Sequence, residues 1–365
     1  MTFDLVVIGG GPAGCAASIT AARSGAKVLQ LERGRFPRHK VCGEFVSAES
    51  LSLLSRLLRE GNRELINNAL RLPQVRIFID GTQLEGQVSP HAASITRFDL
   101  DSALWQSTID SGVDVRESCS VRSVDCDGPF RVNTEREAFE TKAIVNATGR
   151  WSNLTSSGIR ACAAGERWIG LKAHFYEQHP HPSVDLYFFD GGYCGVQPVR
   201  SASNGHGALV NACAMVRADI ASTLAEVFEA NSPLEARSRN WTPVMDPVTT
   251  SPLVFHEPEL VNQGMLQAGD AATFVDPFIG DGISLALRSG ALAADYLAPF
   301  FKQECSLEHA TENYRVMYKR KLGHVFRRSS RLRRMLLSRS FVRKPALSLL
   351  ERTPAITSFL IRMTR

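Results

Sequence analysis

The sequence predicts an α/β protein in which a parallel-sheet domain is interrupted by a mostly antiparallel β domain and followed by a helical C-terminal region. Three observations support this architecture. An apolar strand, Leu5 to Ile8, runs into a glycine-rich turn and a helix of small residues. Residues 141–149 have the pattern of a second buried parallel strand. Between residues 151 and 255, apolar and polar residues alternate as in antiparallel strands with one covered face.

The glycine-rich turn after the first strand reads Gly9-x-Gly11-x-x-Gly14, and a second strand follows the helix and ends at Glu32. This strand–helix–strand context is the one that a dinucleotide-binding fingerprint requires. The first glycine permits the tight turn, the second lets the backbone approach a pyrophosphate at the helix N-terminus, and the third lets the helix pack on the strand. Glu32 is placed to accept hydrogen bonds from a ribose hydroxyl. The predicted cofactor residues of this Rossmann-like unit are Gly9, Gly11, Pro12, Ala13, Gly14, Glu32 and Arg33.

The composition is that of an ordinary globular protein, but the charge is uneven. The net charge is +5, yet residues 315–365 hold fifteen Lys or Arg and one acid, which leaves the rest of the chain acidic. The eight cysteines form no CxxC pair and no metal-ligand spacing, which predicts reduced thiols in a cytoplasmic protein and no metal site. Residues 5–22 are uncharged, but their glycines and Pro12 favour the nucleotide-binding unit over a membrane span.

Apolar spacing and turn residues place the other elements. Helices are expected over residues 48–58, 98–109, 219–230 and 282–297. A hairpin is expected over 74–85, turning at Asp80-Gly81. Short strands are expected at 113–115, 120–124, 130–132 and 265–267. We therefore assign 1–72, 96–155 and 256–300 to the Rossmann-like domain, 73–95 and 156–255 to the β-rich substrate domain, and 301–365 to a basic helical region.

Three further motifs favour FAD as the dinucleotide. They are the strand ending in Thr148-Gly149, the segment that begins Gly269-Asp270 and continues to Gly290, and the run from Ile95 to Trp105. Over about residues 1–300 the chain resembles the flavin-dependent oxidoreductases that include para-hydroxybenzoate-hydroxylase-type monooxygenases, flavin-dependent halogenases and geranylgeranyl reductases. In its length and in the segment around Cys42, the chain resembles members of the geranylgeranyl-reductase-like branch most.

The resemblance implies where the flavin would lie. Asp270 would bind the ribityl or ribose region, and Arg97 would lie along the cofactor. The helix N-terminus at Gly282 and Ile283 would face N1 and the C2 carbonyl, where backbone N–H groups suit the negative charge of a reduced flavin. The implied cofactor site also includes Thr148, Gly149, Gly269, Pro277 and Gly280.

The segment FPRHKVCGEF, residues 36–45, resembles a run that lies beside the flavin in geranylgeranyl reductases and halogenases. Cys42 and Gly43 would therefore line the cofactor. Cys42 is either a reactive thiol, since Lys40 and His39 are its neighbours in sequence, or a small neutral wall residue.

Departures from family patterns narrow the reaction. Tryptophan-type halogenases carry a W-x-W-x-x-P run, and the nearest match here, residues 192–198, has no tryptophan, which disfavours halogenation. Hydroxylases with a built-in NADPH step carry an Asp-Gly pair, whereas the matching positions here begin Thr148-Gly149. We therefore expect electrons to come from NAD(P)H in a slow step or from a separate flavin reductase.

Our first expectation is a monooxygenase. Reduced FAD would react with O₂ to a C4a-hydroperoxide, which would transfer one oxygen atom to an apolar or aromatic small molecule of secondary or lipid-like metabolism, in a dry pocket. A reductase that saturates isoprenoid C=C bonds is the alternative, and a non-catalytic flavin-binding protein is a third possibility. The candidate catalytic residues are Cys42, His174 and Tyr193, with Trp168 and Phe278 as further pocket residues. Aromatic residues on such strands more often belong to a core, and a lone histidine more often makes a structural contact.

The basic C-terminal region alternates arginines with apolar residues and is interrupted by Pro345 and Pro354. This pattern is compatible with packing on the acidic body of the protein or on a partner. It is also compatible with peripheral contact at the inner face of a membrane, which would suit a lipid-like substrate. No nucleic-acid-reading motif accompanies the charge, so we expect no nucleic-acid partner.

Overall fold

A computed structural model of the chain describes residues 2–126, 128–150, 154, 167–200, 208–250, 252–253, 255, 257–274 and 280–326. The predicted α/β architecture with a helical C-terminal region is confirmed. In the described residues the strands are β1 (Thr2–Ile8), β2 (Val28–Leu31), β3 (Phe45–Val46), β4 (Leu70–Ile79), β5 (Thr82–Ser94), β6 (Asp114–Arg116), β7 (Val121–Asp125), β8 (Phe130–Thr134), β9 (Ala138–Asn146), β10 (Trp168–Tyr176), β11 (Ser183–Phe189), β12 (Gly192–Val199), β13 (Leu209–Arg217), β14 (Thr242–Pro243), β15 (Val248–Thr250), β16 (Val261–Asn262) and β17 (Met265–Gln267). The helices are α1 (Pro12–Arg23), α2 (Ala48–Leu57), α3 (Glu64–Asn67), α4 (Arg97–Ile109), α5 (Leu224–Glu229), α6 (Ser232–Ser238), α7 (Gly282–Phe301) and α8 (Leu307–Lys321).

The first sheet is the predicted nucleotide-binding sheet. Its strand order is β16-β17-β9-β1-β2-β6, and β1 pairs in parallel with both β2 and β9. The meander β7-β8 continues antiparallel from β9. Parallel strands buried on both faces read as continuous apolar runs, which is the pattern of β1 and of the C-terminal half of β9.

Helices α1 and α7 cover one face of this sheet and cross in close contact. A Cβ on Gly290 of α7 would stand 2.0 Å from the carbonyl oxygen of Ala13 in α1, so this crossing requires glycine. Helix α8 packs on α7 and joins the same apolar core through Tyr314 and Tyr318. The Tyr314 hydroxyl donates to the carbonyl of Gln267 at the end of β17, 2.6 Å away. Helix α8 is therefore part of the first domain's core.

The second sheet has the order β14-β10-β13-β12-β11-β4-β5-β3, with β15 also paired to β10. All of its described pairings are antiparallel except β4 with β11. Helices α5 and α6 cover the outer face, where Val210, Ala212 and Ala214 of β13 join an apolar cluster. Alternate residues of the same strand, including Asn211 and Met215, point to the inner face, toward the first domain.

Two sequence predictions differ in detail from the structure. The helix expected over 219–230 is shorter, because Thr223 and Glu226 form a capping box that starts α5 at Leu224. A second helix, α6, follows outside that range and is capped by Asn231. The hairpin over 74–85 is longer than expected, from Leu70 to Ser94. Its turn is as predicted, with Asp80 at φ 51° and Gly81 at φ 83°, the primed-turn geometry.

The boundary between the two domains differs slightly from the predicted one. β3 and the first residues of β4 belong to the second sheet, although both lie within the 1–72 boundary that the sequence suggested. In the part of the chain that the structure describes, no helix is both long enough and apolar enough to cross a bilayer. The arginine-rich stretch after Phe326 lies outside the described residues, so its predicted membrane contact stays a prediction.

Candidate active site

A cavity of about 1010 Å³ lies between the two sheets, at the carboxyl ends of β1, β2 and β9. This edge of an open α/β sheet is where ligands bind. The cavity is lined by the following predicted site residues: Gly9, Gly11, Pro12, Ala13, Glu32, Arg33, Cys42, Gly43, Arg97, Thr148, Gly149, Tyr193, Gly269, Asp270, Gly280, Gly282 and Ile283. Gly14 and His174 do not line it, and Pro277 and Phe278 lie outside the described residues.

The glycine-rich turn closes the cavity at the N-terminus of α1. Gly9 has φ +113°, and a Cβ there would stand 2.3 Å from the carbonyl oxygen of Ala147. Gly14 lies one helical turn further, and a Cβ on it would stand 1.9 Å from the Gly9 carbonyl oxygen. Gly14 therefore acts through helix–strand packing and not as part of the wall. The result is an open helix N-terminus facing the cavity, the geometry that binds a phosphate.

Glu32 lies at the end of β2 with its carboxylate fixed from three sides. It accepts hydrogen bonds from the backbone N–H groups of Gly10 and Gly34, both at 2.7 Å, and from Arg38 Nη2 at 2.9 Å. Burial alone would raise the pKa of Glu32, but Arg38 and the Gly34 N–H outweigh it and hold the pKa below its usual value. The carboxylate therefore stays ionised, as an acceptor of ribose hydroxyls must.

Lys40 was not predicted as a cofactor residue, but its side chain lies beside the glycine-rich turn. Its ammonium is 3.9 Å from the point where a Cβ on Gly11 would stand, so it points at the glycine turn. Burial lowers the pKa of Lys40, the carboxylate of Asp101 opposes this effect, and the nearby Arg97 and Arg38 add to it. Within the described residues its Nζ forms no hydrogen bond or ion pair. A half-buried cation at a helix N-terminus fits the pyrophosphate of a dinucleotide, so these residues fit FAD.

Replacing Lys40 by methionine is expected to weaken FAD binding by about tenfold to a hundredfold, the cost of one charged hydrogen bond of about 1.5–3 kcal/mol. The measurement is a fluorescence titration of the apoprotein with FAD. Lys302→Met, at the exposed end of α7, is the control and should leave the affinity unchanged. Equal affinities for wild type and Lys40→Met would contradict the phosphate-binding role.

The far end of the cavity is formed by the segment after β17 and the start of α7. The Oδ2 atom of Asp270 lies 3.6 Å from the Nε atom of Arg150. The Arg150 guanidinium also lies 4.4 Å from the ring centroid of Phe274. Gly282 and Ile283 present the first turn of α7 to the cavity, which is the placement predicted for the flavin N1 side.

Between the cofactor residues and the second sheet lies the segment 39–44. Cys42 lines the cavity. Cys15 and Cys194 are buried away from it, and burial raises the pKa of each of these two thiols to about 12. Arg97 at the start of α4 forms a two-bond ion pair with Asp101, at 2.8 and 2.7 Å. That pair fixes the guanidinium beside the cavity wall.

Glu44 ends this segment and is fully buried. Its carboxylate accepts hydrogen bonds from the Lys172 ammonium, from His174 Nε2 at 2.8 Å and from the Arg97 backbone N–H at 2.8 Å. Burial by itself would raise the pKa of Glu44, but Lys172 and His174 outweigh it and lower the pKa to about 2. We call Glu44, Lys172 and His174 the Glu44 cluster.

The location of His174 corrects its predicted role. The side chain was expected to face substrate, but it is 4% exposed and its Nε2 is bonded to Glu44. The cluster could not be found from local sequence, because Lys172 and His174 are 128 and 130 residues from Glu44. The histidine that does line the cavity is His39, whose ring lies edge-on to His174 with centroids 5.4 Å apart.

The floor of the cavity on the second sheet is apolar. Tyr193 and Met215 lie side by side on β12 and β13, and Leu253 and Phe274 join the same cluster. Trp168, the other predicted pocket residue, is half-buried and packs against this cluster without lining the cavity. One cavity therefore combines a nucleotide-binding end, a wall of titratable side chains and an apolar floor.

Comparison with known proteins agrees with this geometry. The family model for FAD dependent oxidoreductases matches residues 4–158. Digeranylgeranylglycerophospholipid reductase 2 of Methanopyrus kandleri is 25% identical over 343 residues, which cover 90% of this chain and 85% of the relative.

Two solved structures share the fold over nearly the whole chain. The flavin-dependent brominase Bmp2 superposes with a TM-score of 0.81 at 19% identity, covering 100% of this chain and 93% of the brominase. A geranylgeranyl bacteriochlorophyll reductase-like protein of Thermoplasma acidophilum superposes with a TM-score of 0.76 at 20% identity, covering 99% of both chains. At these identities, the two likenesses show that the chain has the fold of these two proteins.

Proposed function

We propose that this protein is an FAD-dependent oxidoreductase and, more specifically, a reductase that saturates C=C bonds of an isoprenoid or similarly apolar substrate. The observation that carries the proposal is the pairing, in one cavity, of an apolar floor with a wall of protonatable side chains. The floor is formed by Tyr193, Met215 and Leu253, and the wall by His39 and Cys42. The Methanopyrus relative, by its name, reduces a digeranylgeranyl lipid, which supports the same substrate class.

The chain's residues divide the work of such a reaction. When bound and reduced, FAD would supply a hydride for one carbon of the double bond. The other carbon takes a proton, for which a group beside an apolar substrate must hold and release it. His39 and Cys42 both line the cavity at this wall, so either the imidazole or the thiol is placed to carry that proton. The apolar floor holds the chain of the substrate and keeps bulk water away.

A monooxygenase, our first expectation from the sequence, is the second candidate. The same apolar floor favours it, because oxygen transfer from a reduced flavin needs a dry pocket. This candidate does not use the protonatable wall as directly, since a dry pocket matters more to it than an acid. It therefore ranks below the reductase on the geometry of this cavity.

Anaerobic reoxidation distinguishes the two. The FAD-loaded protein is photoreduced without oxygen and mixed with a digeranylgeranyl lipid dispersed in detergent. A reductase returns the oxidised flavin spectrum and yields a product with added hydrogen atoms by mass spectrometry. A flavin that stays reduced until O₂ is admitted, and then shows a transient absorbance unlike either the reduced or the oxidised form, would overturn the reductase in favour of the monooxygenase.

The electron donor can be identified by the same absorbance measurements. Our expectation from the missing Asp-Gly pair is slow reduction by NAD(P)H or supply by a separate flavin reductase. Mixing the oxidised, FAD-loaded protein with NADH or NADPH and following the loss of flavin absorbance measures this directly. Reduction at the rate of catalytic turnover by either nicotinamide would contradict the expectation.

A further inference from the structure

Glu44 combines two unusual features that the proposed chemistry does not require. Its backbone has φ 63°, a left-handed conformation that a non-glycine residue seldom adopts. Its side chain is completely buried and ionised, which is costly without partners. A residue keeps such a conformation only when its surroundings hold it there, and these residues concentrate at functional sites.

The partners of Glu44 come from separate parts of the fold. Lys172 and His174 lie on β10 of the second sheet, and the Arg97 N–H lies at the first turn of α4. The Glu44 carbonyl also accepts from the N–H of Ile95, 3.0 Å away. Glu44 thus ties the segment 39–44 to both domains.

The cysteine two residues earlier is fixed by the same arrangement. The Cys42 carbonyl accepts a hydrogen bond from Asn211 Nδ2 on β13, 3.0 Å away. The Glu44 N–H donates to the Cys42 sulfur at 3.3 Å. Asn211 pairs with His174 across β13 and β10, so both attachments of the segment lie at one place on the second sheet.

We propose that Glu44 is a positioning residue, whose buried contacts with Lys172, His174 and the Arg97 N–H hold Cys42 and Gly43 as a rigid wall between the cofactor end and the apolar floor. The Glu44 cluster then serves the wall and not the substrate. This role rests on the proposed function only in the claim that the wall separates FAD from substrate. The position of the wall itself is independent of the reaction.

The alkylation rate of the Cys42 thiol reports on the position of the wall. In Glu44→Gln we expect iodoacetamide to alkylate Cys42 about tenfold faster than in wild type, because local opening of the segment exposes the sulfur. The rates at Cys119, Cys126 and Cys305, which are all half-buried and outside any disulfide among the described residues, should not change. Mass spectrometry of peptides from the full-length protein follows each cysteine separately.

Asp185→Asn is the matched control. Asp185 is also fully buried and ion-paired, to Arg76 and Arg237, but on the outer side of the second sheet. It should lower stability in a similar way and leave Cys42 as slow as in wild type. If both variants accelerated all cysteines together, Glu44 would be a general stabiliser and the proposal would be overturned.

A second variant covers the case in which Glu44→Gln does not fold. Asn211→Leu removes the hydrogen bond to the Cys42 carbonyl, and the Oδ1 that it also removes is buried without a partner among the described residues. It should accelerate alkylation of Cys42 selectively and lower kcat with isoprenoid lipid more than it changes the KM. Unchanged alkylation in Asn211→Leu would overturn the proposal, whereas selective alkylation without any lipid reduction would count against the proposed function alone.

Discussion

Lys172→Met is expected to destabilise the folded protein by about 3–5 kcal/mol, because it leaves the Glu44 carboxylate buried without its main counter-charge. Lys172 and Glu44 are both 0% exposed, so water cannot replace the lost ammonium. Urea unfolding of the FAD-free protein measures the loss. Lys142→Met removes a lysine whose side chain is 51% exposed and which pairs with Asp4, and it should cost less than about 1 kcal/mol.

Acid should shrink the difference between wild type and Lys172→Met. The folded pKa of Glu44 is about 2, below its ordinary 4.5, so its stabilising contribution is complete above pH 4.5 and is lost as the pH falls toward 2. In the variant, burial favours the protonated carboxyl, so acid relieves the unpaired charge. Unfolding free energies measured from pH 7 down to pH 3 should therefore converge. A difference that stays constant over this range would show that the loss comes from packing and not from charge.

Gly14→Ala is expected to reduce stability by about 1–3 kcal/mol and to abolish tight FAD binding. The new Cβ would stand 1.9 Å from the Gly9 carbonyl oxygen, so helix α1 must move away from the turn. That carbonyl also accepts a hydrogen bond from Gln30 Nε2 at 2.9 Å, which the movement would break. The phosphate-binding N–H groups would shift with the helix. Fluorescence titration with FAD and urea unfolding give the two effects.

Gly61→Ala is the control for the glycine substitution. Nothing lies within 4 Å of a Cβ at Gly61. This variant should bind FAD like wild type and unfold at the same urea concentration or a slightly higher one. Normal FAD affinity in Gly14→Ala would contradict the packing role that we assign to Gly14.

Local motifs were sufficient to predict the cofactor half of the site. Gly9 and Gly11 of the glycine fingerprint, Glu32, and Gly269 and Asp270 after β17 lie in short segments whose geometry follows from strand–turn–helix rules, and they line the cavity as expected. Whether each of them contacts FAD stays a prediction. The substrate half was harder to predict from sequence. It is built from alternate residues of β10, β12 and β13, and which of them face inward depends on the pairing register.

Residue type alone also misdirected the prediction for His174. An isolated histidine on an alternating strand gives no indication of whether its partner is substrate or a buried carboxylate. The partner, Glu44, is 130 residues earlier, in a loop that no periodicity describes. Lys40 is the reverse case: it lay within the segment that was singled out, and only its three-dimensional approach to the Gly11 turn reveals its relation to the phosphates.

The close crossing of α1 and α7 has a consequence for how the protein is made. Ala13 leaves the ribosome long before Gly290, the residue of α7 that packs on its backbone. Every strand of the second sheet is synthesised in between, so that sheet can pair while the first one still lacks its cover. A nascent chain that ends before α7 therefore exposes apolar surface of β1 and β9 that α7 later covers, and such exposed surface favours aggregation.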